Sequence, residues 1–158
     1  MIIAIDPGPE QSAMVIYGSA KIFHGIYPNK EVLERLSYGN SDITHLAIEM
    51  VACYGMAVGA EVFETCVWIG RFIQQWNKPY TLVYRRDVKL HLCQSARAKD
   101  ANIRQALLDR FGGSRDKAIG NKSNPGPLYG ISSHLWSALA VAVTYEDTNR
   151  APRSGRVE

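Results

Sequence analysis

Short apolar runs along the chain predict the strands of a sheet. Residues Ile2 to Ile5 are all apolar, with a bias towards β-branched side chains, which is typical of a buried strand. Similar runs predict four further strands over residues 12–17, 21–27, 45–50 and 80–84. Gly18 and Ser19 favour a hairpin turn between the second and third strands, so the first three strands are expected to be antiparallel neighbours.

Segments in which apolar residues recur every three or four positions predict the helices. The longest covers residues 58–76, and others are predicted over 30–36, with Asn29 as its N-cap, and over 87–93, 100–111 and 134–145. Residues 115–129 are rich in glycine, asparagine and proline, which predicts a loop. The order of elements predicts an α/β fold, a mixed five-stranded sheet flanked by helices, in a single domain over residues 1–148. The tail over residues 149–158 is expected to be disordered.

The helix predicted over residues 58–76 carries more apolar surface than one buried face needs. Val67, Trp68 and Gly70 broaden the stripe that the three-and-four spacing creates. Two explanations are open: a second subunit covers this surface, or another helix of the same subunit does.

Cysteine usage and the first apolar run bear on the cellular compartment. Asp6 and Pro7 interrupt that run, which is too short for a signal peptide or a membrane span. Cys53, Cys66 and Cys93 have no CxxC spacing, so neither a disulfide framework nor a zinc site is expected. We therefore expect a cytoplasmic protein.

Positive charge is concentrated in one segment of the chain. The formal net charge is +3, but residues 85–122 contain ten bases and only four acids. This segment is therefore near +6 and the rest of the chain near −3. Such an imbalance indicates a polyanionic partner such as nucleic acid. The alternative is an ordinary solvated helix face.

Two carboxylates stand at the ends of otherwise apolar strands. Asp6 follows the first run, and Glu49 lies near the end of the strand over residues 45–50. A carboxylate buried in a strand costs several kcal/mol unless it is paired, and a divalent cation is a natural partner for two of them. The alternatives are a turn aspartate bound by nearby amides and a Glu49 salt bridge to a base.

A third candidate group opens the last helix. His134 and Ser137 are three positions apart and share one helix face. A lone histidine at a helix start is more often structural than a metal ligand. The two upstream carboxylates favour the ligand role.

These motifs, taken in order, resemble those of the RuvC-type Holliday junction resolvases. The matching features are Ile-Asp-Pro-Gly at residues 5–8, Ala-Ile-Glu at 47–49, and Ala-Leu-Ala-Val-Ala in the last helix. The segment from residue 88 to residue 108, with Lys89, Arg97, Lys99 and Gln105, is similar to the basic stretch of that family. Residues 125–129 are similar to those of compact phage members, and if a phage encodes the protein, its expected location is the host cytoplasm. The resemblance covers the chain to about residue 145.

The resemblance implies a ribonuclease H-like fold, a homodimer through the helix 58–76, and two Mg2+ ions held by four acidic positions, with Mn2+ able to substitute. Asp6 and Glu49 match the first two positions, and His134 falls on the third. The fourth falls on Ser137, which is not a normal ligand for a hard cation. Three explanations stay open: the second ion has fewer protein ligands, Asp100 enters the site, or the protein is inactive.

The implied activity is that of a magnesium-dependent crossover junction endodeoxyribonuclease. It would cut four-way DNA junctions by paired nicks and leave 5′ phosphates and 3′ hydroxyls. Lys99, or Lys89 as a second choice, would support the scissile phosphate, and Tyr54 and Phe63 could stack on unpaired bases. The expected DNA-binding residues are Arg85, Arg86, Lys89, Arg97, Lys99, Arg104, Lys117 and Lys122.

Three other functions compete with this one. The first is a module that binds branched DNA without cutting it, which Ser137 favours. The second is a ribonuclease H that acts on RNA/DNA hybrids, since the same metal site can cut either backbone. The third, an actin-like ATPase, needs two lobes, and 158 residues supply only one.

Overall fold

Five strands form one mixed sheet in the computed structural model, which describes residues 1–38 and 41–149. The strands are β1 (Ile2–Asp6), β2 (Gln11–Tyr17), β3 (Phe23–Pro28), β4 (His45–Met50) and β5 (Tyr80–Tyr84). Their order is β3-β2-β1-β4-β5. The pairs β1–β2 and β2–β3 are antiparallel, whereas β1–β4 and β4–β5 are parallel. The predicted mixed five-stranded sheet is confirmed.

Helices cover both faces of this sheet. They are α1 (Asn29–Ser37), α2 (Ala60–Trp76), α3 (Arg85–Cys93), α4 (Asp100–Phe111), α5 (Arg115–Ala118) and α6 (Leu135–Asn149). Helices α1 and α2 pack on one face, with a core that includes Ile3, Ile5 and Phe72. Helix α6 lies on the other face and also contacts α3 and α4, and its central stretch over residues 138–144 is buried. Small residues such as Ala138 and Ala140 let α6 approach the strands closely.

The two-residue period of a strand decides which face each side chain reaches. In β1, Ile2 and Ala4 belong to the core beneath α6, whereas Ile3 and Ile5 belong to the core beneath α1 and α2. Asp6 therefore falls on the α6 face. The same alternation in β4, where Ala47 lies beneath α6, puts Glu49 on that face too.

The boundaries of several elements differ from the sequence predictions. Helix α2 begins at Ala60 rather than at residue 58, and α6 begins after His134 rather than at it. Residues 115–118 form a helical turn inside the predicted loop, because the Ser114 hydroxyl accepts a hydrogen bond from the Lys117 amide. The sequence analysis missed this turn because the neighbouring glycines and prolines favour a loop. Asn29 does not cap α1, since its side chain bonds elsewhere.

The prediction of a single domain over residues 1–148 stays a prediction. Residues 150–158, most of the predicted disordered tail, lie outside the described residues. Within residues 1–38 and 41–149, no helix is both long enough and apolar enough to cross a membrane.

Candidate active site

Asp6 and Glu49 lie side by side at the carboxyl end of two neighbouring parallel strands. The register pairs Ile5 with Ile48, so the next positions along the strands bring the two carboxylates together. Both point towards the start of α6. Their side chains are only 15% and 14% exposed. Strands β1 and β4 are parallel neighbours, and this pairing creates the acidic pair.

The loop that follows Asp6 is held by buried polar side chains. The Ser12 hydroxyl donates to Asn29 Oδ1 at 2.6 Å, and Asn29 Nδ2 donates to the Gly8 carbonyl at 2.9 Å. A Cβ atom on Gly8 would stand 2.5 Å from the Gln11 carbonyl oxygen, so this tight turn requires glycine. The loop is therefore rigid where β1 delivers Asp6 to the site. Sequence reasoning missed this role of Ser12 and Asn29.

His134 lies over Asp6 from the start of α6. Its Nδ1 is 3.0 Å from Asp6 Oδ2, and the imidazole is 71% exposed. The His134 carbonyl accepts hydrogen bonds from the amides of Ser137 and Ala138, so the residue initiates the helix. The structure thus joins two predicted site residues that are far apart in sequence.

Arg85 occupies the other side of the acidic pair. It is the first residue of α3, directly after β5, which lies beside β4. Its guanidinium donates to the Ser137 hydroxyl at 3.3 Å and to Asp100 Oδ1 at 2.5 Å, and lies 3.7 Å from Glu49 Oε1. Sequence analysis grouped Arg85 with bases on the DNA-binding surface. The structure places it among the carboxylates.

The electrostatic environment shifts the pKa of both strand-end carboxyls upward. Burial, helped by the neighbouring charge of Asp6, raises the pKa of Glu49 to about 7, against the pull of Arg85. Burial likewise raises the pKa of Asp6, although His134 and Arg85 oppose the shift. Glu49 Oε2 is buried and has no hydrogen-bond partner among the described residues. Strongly perturbed carboxyls in a cleft are a common mark of a functional site.

The donor set fits a divalent cation bound at Asp6. Two ligand atoms on one octahedral Mg2+ stand about 3 Å apart, and Asp6 Oδ2 and His134 Nδ1 have this separation. The partnerless Oε2 of Glu49 offers a further hard oxygen. Across the described ranges, no three His, Cys, Asp or Glu side chains are grouped so that they could hold a metal ion. Glu49 Oε1 lies 3.7 Å from Arg85, so Asp6 and His134 are the pair that stands at ligand separation.

Three cavities meet at these residues. One of about 520 Å³ runs past Asp6, Gly8 and His134. A second, of about 470 Å³, is mostly apolar, and its lining includes Asp6, Glu49, Arg85, Tyr54 and Phe63. A third of similar volume is lined by Arg85, Asp100, Arg104, Trp136 and Ser137. The site is therefore open from several sides, as a polymer substrate requires.

The other predicted basic residues spread over the surface around this site. Lys99 directly precedes α4 and is adjacent in sequence to Asp100, which Arg85 binds. Arg104 stacks on Trp136, with its guanidinium carbon 4.9 Å from the ring centre, and lines the third cavity. Lys89 is half-buried on α3. The remaining predicted DNA-binding residues, Arg86, Arg97, Lys117 and Lys122, are exposed.

Helix α2 leaves part of its apolar surface uncovered. Ile69 and Phe72 are buried against the sheet, and α1 packs alongside. Phe63 and Val67, one turn apart, remain 63% and 55% exposed. Another helix of the same subunit therefore does not cover this side within the described part of the chain.

The fold is similar to that of two kinds of solved resolvase. Thermus thermophilus RuvC is 19% identical over 93% of this chain and 95% of its own, with a TM-score of 0.59. The same protein in complex with a Holliday junction substrate is 19% identical, and the match covers 91% of each chain with a TM-score of 0.59. Fowlpox virus resolvase, in complex with substrate Holliday junction DNA, is 13% identical to this chain. The match covers 94% of this chain and 99% of the resolvase, with a TM-score of 0.52.

These likenesses show the fold of the chain. It is the ribonuclease H-like α/β fold of RuvC, as the sequence resemblance predicted. No family model matches the sequence, and no curated protein matches it either. The assignment of individual site residues is tested by none of these comparisons and stays a prediction.

Proposed function

We propose that the protein is a metal-dependent, structure-selective endonuclease that resolves four-way DNA junctions. The observation that carries this proposal is the buried pair of Asp6 and Glu49, which meets His134 at an open cleft. The pair lies on a fold that two junction-bound resolvases share. Membership of the fold alone would not support catalysis, because one fold hosts many functions.

In this proposal, Asp6, Glu49 and His134 hold a divalent cation, Mg2+ or Mn2+. A bound cation of this kind lowers the pKa of a water molecule and stabilises negative charge on a phosphate. The chain itself orients the ligands: Ser12 and Asn29 fix the loop after Asp6, and His134 lies 3.0 Å from the Asp6 carboxylate. In the metal-free chain the pKa of Glu49 is about 7, so cation binding should weaken as the pH falls, because protons compete with the cation for this carboxylate. The expected products are a 5′ phosphate and a 3′ hydroxyl.

The basic segment supplies the DNA-binding surface. Arg104 lines a cavity that begins at Arg85, and Lys99 stands at the start of the same helix as Arg104. Phosphate contacts of this kind give strong binding that weakens steeply as salt rises. The apolar cavity on the other side offers Tyr54 and Phe63 for stacking on unpaired bases at a junction centre.

Paired nicks require two active sites at a fixed separation, and we propose that a homodimer provides them. The exposed Phe63 and Val67 on α2 form the candidate interface. Phe63 also borders the cavity beside Glu49, so the interface and the active site would be adjacent. The cysteines are all free thiols, which fits a reducing cytoplasm.

The proposal can be tested with synthetic substrates. The wild-type chain should nick a four-way junction in Mg2+ or Mn2+, with little cutting of a linear duplex or an RNA/DNA hybrid. Asp6→Asn should abolish cutting and leave junction affinity within severalfold of wild type, because the ligand is lost while the basic surface remains. The exposed Glu31→Gln on α1 is a matched control that should cut normally.

The outcomes separate the competing functions. Tight junction binding with no cutting in either metal would favour the binding-only module that Ser137 suggests. Preferred cutting of the hybrid would favour a ribonuclease H. Cutting by Asp6→Asn at the wild-type rate would show that the site is wrongly assigned.

A further inference from the structure

Arg85 contacts the residues that would otherwise complete a second cation site. One arm of the guanidinium donates to the Ser137 hydroxyl at 3.3 Å, and the other donates to Asp100 at 2.5 Å. The same group lies 3.7 Å from Glu49 Oε1. The side chain is 25% exposed, so it is anchored yet open to a ligand. Two polar anchors and one nearby carboxylate therefore hold the guanidinium in a defined place.

The side chains near Ser137 are poorly suited to a second metal ion. A serine hydroxyl is a neutral and weak ligand for Mg2+, and this one already accepts a hydrogen bond from Arg85. Asp100, the other acid within reach, is bound by the second arm. A guanidinium carries its charge at every physiological pH, so it repels a dication placed beside it. Burial does not remove this repulsion but strengthens it.

The same guanidinium is well placed to do what a second cation does. It lies 3.7 Å from Glu49 Oε1 and lines the cavity that also contains Arg104. Its planar fork matches the geometry of phosphate oxygens. A phosphodiester entering from this cavity would reach Arg85 before it reached Glu49.

We propose that Arg85 takes the place of a second metal ion, so that the site combines one divalent ion with one guanidinium. This inference rests on the proposed nuclease function and narrows it. Water adds its oxygen to phosphorus and the bond from phosphorus to the 3′ oxygen breaks. One water proton passes to solvent, and the 3′ oxygen takes a proton from solvent. Arg85 neither gains nor loses a proton, and stabilises the charge on the phosphate as the bond breaks.

The number of bound ions tests this arrangement without relying on activity. In calorimetric titration with Mn2+ in the absence of DNA, the wild-type chain should bind one ion. Ser137→Ala should also bind one, because the hydroxyl is not a ligand. The double variant Arg85→Ala/Ser137→Asp should gain a second, weaker ion, since an acid then stands where the guanidinium was. Arg35→Ala removes an exposed guanidinium on α1 and should leave the count at one.

Cleavage rates test the role of the guanidinium itself. Arg85→Ala should keep one Mn2+ while its rate constant at saturating junction and metal falls about 100-fold or more, the loss typical of a missing transition-state donor. Arg85→Lys should recover part of that rate, because the charge returns without the fork. A thermal melt of each variant shows whether it is folded, and Ser137→Ala keeps the ion count testable if the double variant is not.

The results distinguish this inference from the proposed function. Two Mn2+ ions per wild-type chain, or cutting by Arg85→Ala within threefold of wild type, would overturn the inference and leave the nuclease intact. No Mn2+ binding together with no cutting would overturn both.

Discussion

Removal of the Glu49 charge should stabilise the protein when metal is absent. The pKa of Glu49 is raised from 4.5 to about 7, chiefly by burial and then by Asp6, so ionising this carboxyl destabilises the folded state. A shift of about 2.5 units corresponds to roughly 3 kcal/mol above pH 7. Glu49→Gln keeps the shape without the charge. At pH 8 in a chelator it should therefore raise the free energy of unfolding by up to about 3 kcal/mol.

The effect should depend on pH in one direction only. Below about pH 4.5, Glu49 is protonated in both the folded and the unfolded chain, so it contributes no difference. Between 4.5 and 7 the unfolded chain releases the proton first, and the stability of the wild type falls relative to the variant. Above pH 7 the gap is constant. For a chain of this length, 3 kcal/mol corresponds to roughly 6–12 °C in melting temperature.

In the presence of Mn2+, the wild type should become as stable as Glu49→Gln or more stable. A ligand at 100 times its dissociation constant stabilises the folded state by about 2.7 kcal/mol, and Glu49→Gln loses one ligand for it. Thermal melts at several pH values, with chelator and with Mn2+, measure both effects. If the variant is less stable than wild type in chelator at pH 8, or if the gap does not change between pH 4 and pH 8, the account of Glu49 as a strained, buried carboxylate is wrong.

Three further perturbations test the dimer, the DNA-binding surface and the hydrogen bonds that join α6 to α3 and α4. Phe63→Glu should turn a dimer into a monomer in analytical ultracentrifugation, because burying an unpaired carboxylate at an interface costs several kcal/mol. Lys99→Ala should reduce the slope of log binding constant against log salt by about 1 in fluorescence anisotropy. Asp147→Asn should lower the free energy of unfolding by about 1–3 kcal/mol at pH 7 in urea titrations, since the carboxylate binds Arg110 at 2.6 and 2.7 Å and His91 at 2.8 Å. Burial alone would raise the pKa of Asp147, but those hydrogen bonds lower it, so the loss should shrink as pH falls below 3.8.

Each of these perturbations has a matched control on the same chain. Phe23→Glu alters an exposed aromatic residue on β3 and should leave the dimer intact. Lys30→Ala removes an exposed base on α1 and should not change the salt slope. Glu31→Gln breaks an exposed ion pair and should change stability by less than about 1 kcal/mol. The interface argument is wrong if Phe63→Glu is still a dimer, and the DNA-binding argument is wrong if Lys99→Ala keeps the wild-type salt slope. The argument for Asp147 is wrong if Asp147→Asn is as stable as Glu31→Gln.

The pattern of residues by itself determined the strands and helices of this protein and put a carboxylate at the end of two apolar strands. Alternation along a strand turns successive side chains to opposite sides, so Asp6 and Glu49 share a face once β1 and β4 pair in the observed register. An apolar strand that ends in a carboxylate can be recognised from a few consecutive residues, without knowledge of the rest of the fold. The apolar excess of the helix over residues 58–76 is also readable locally, and its exposed part is still uncovered in the described chain.

Only the tertiary structure decided what surrounds that pair. Arg85 and Ser137 are separated by 52 positions in the sequence. They meet because β5 lies beside β4 and α6 packs against both strands. From the sequence, Arg85 was one base among ten in a basic segment. The raised pKa of Glu49 likewise depends on burial and on charges contributed by distant segments. Electrostatic energy depends on the distances between charges and on their solvent exposure. Neither quantity can be obtained from the spacing of residues along the chain.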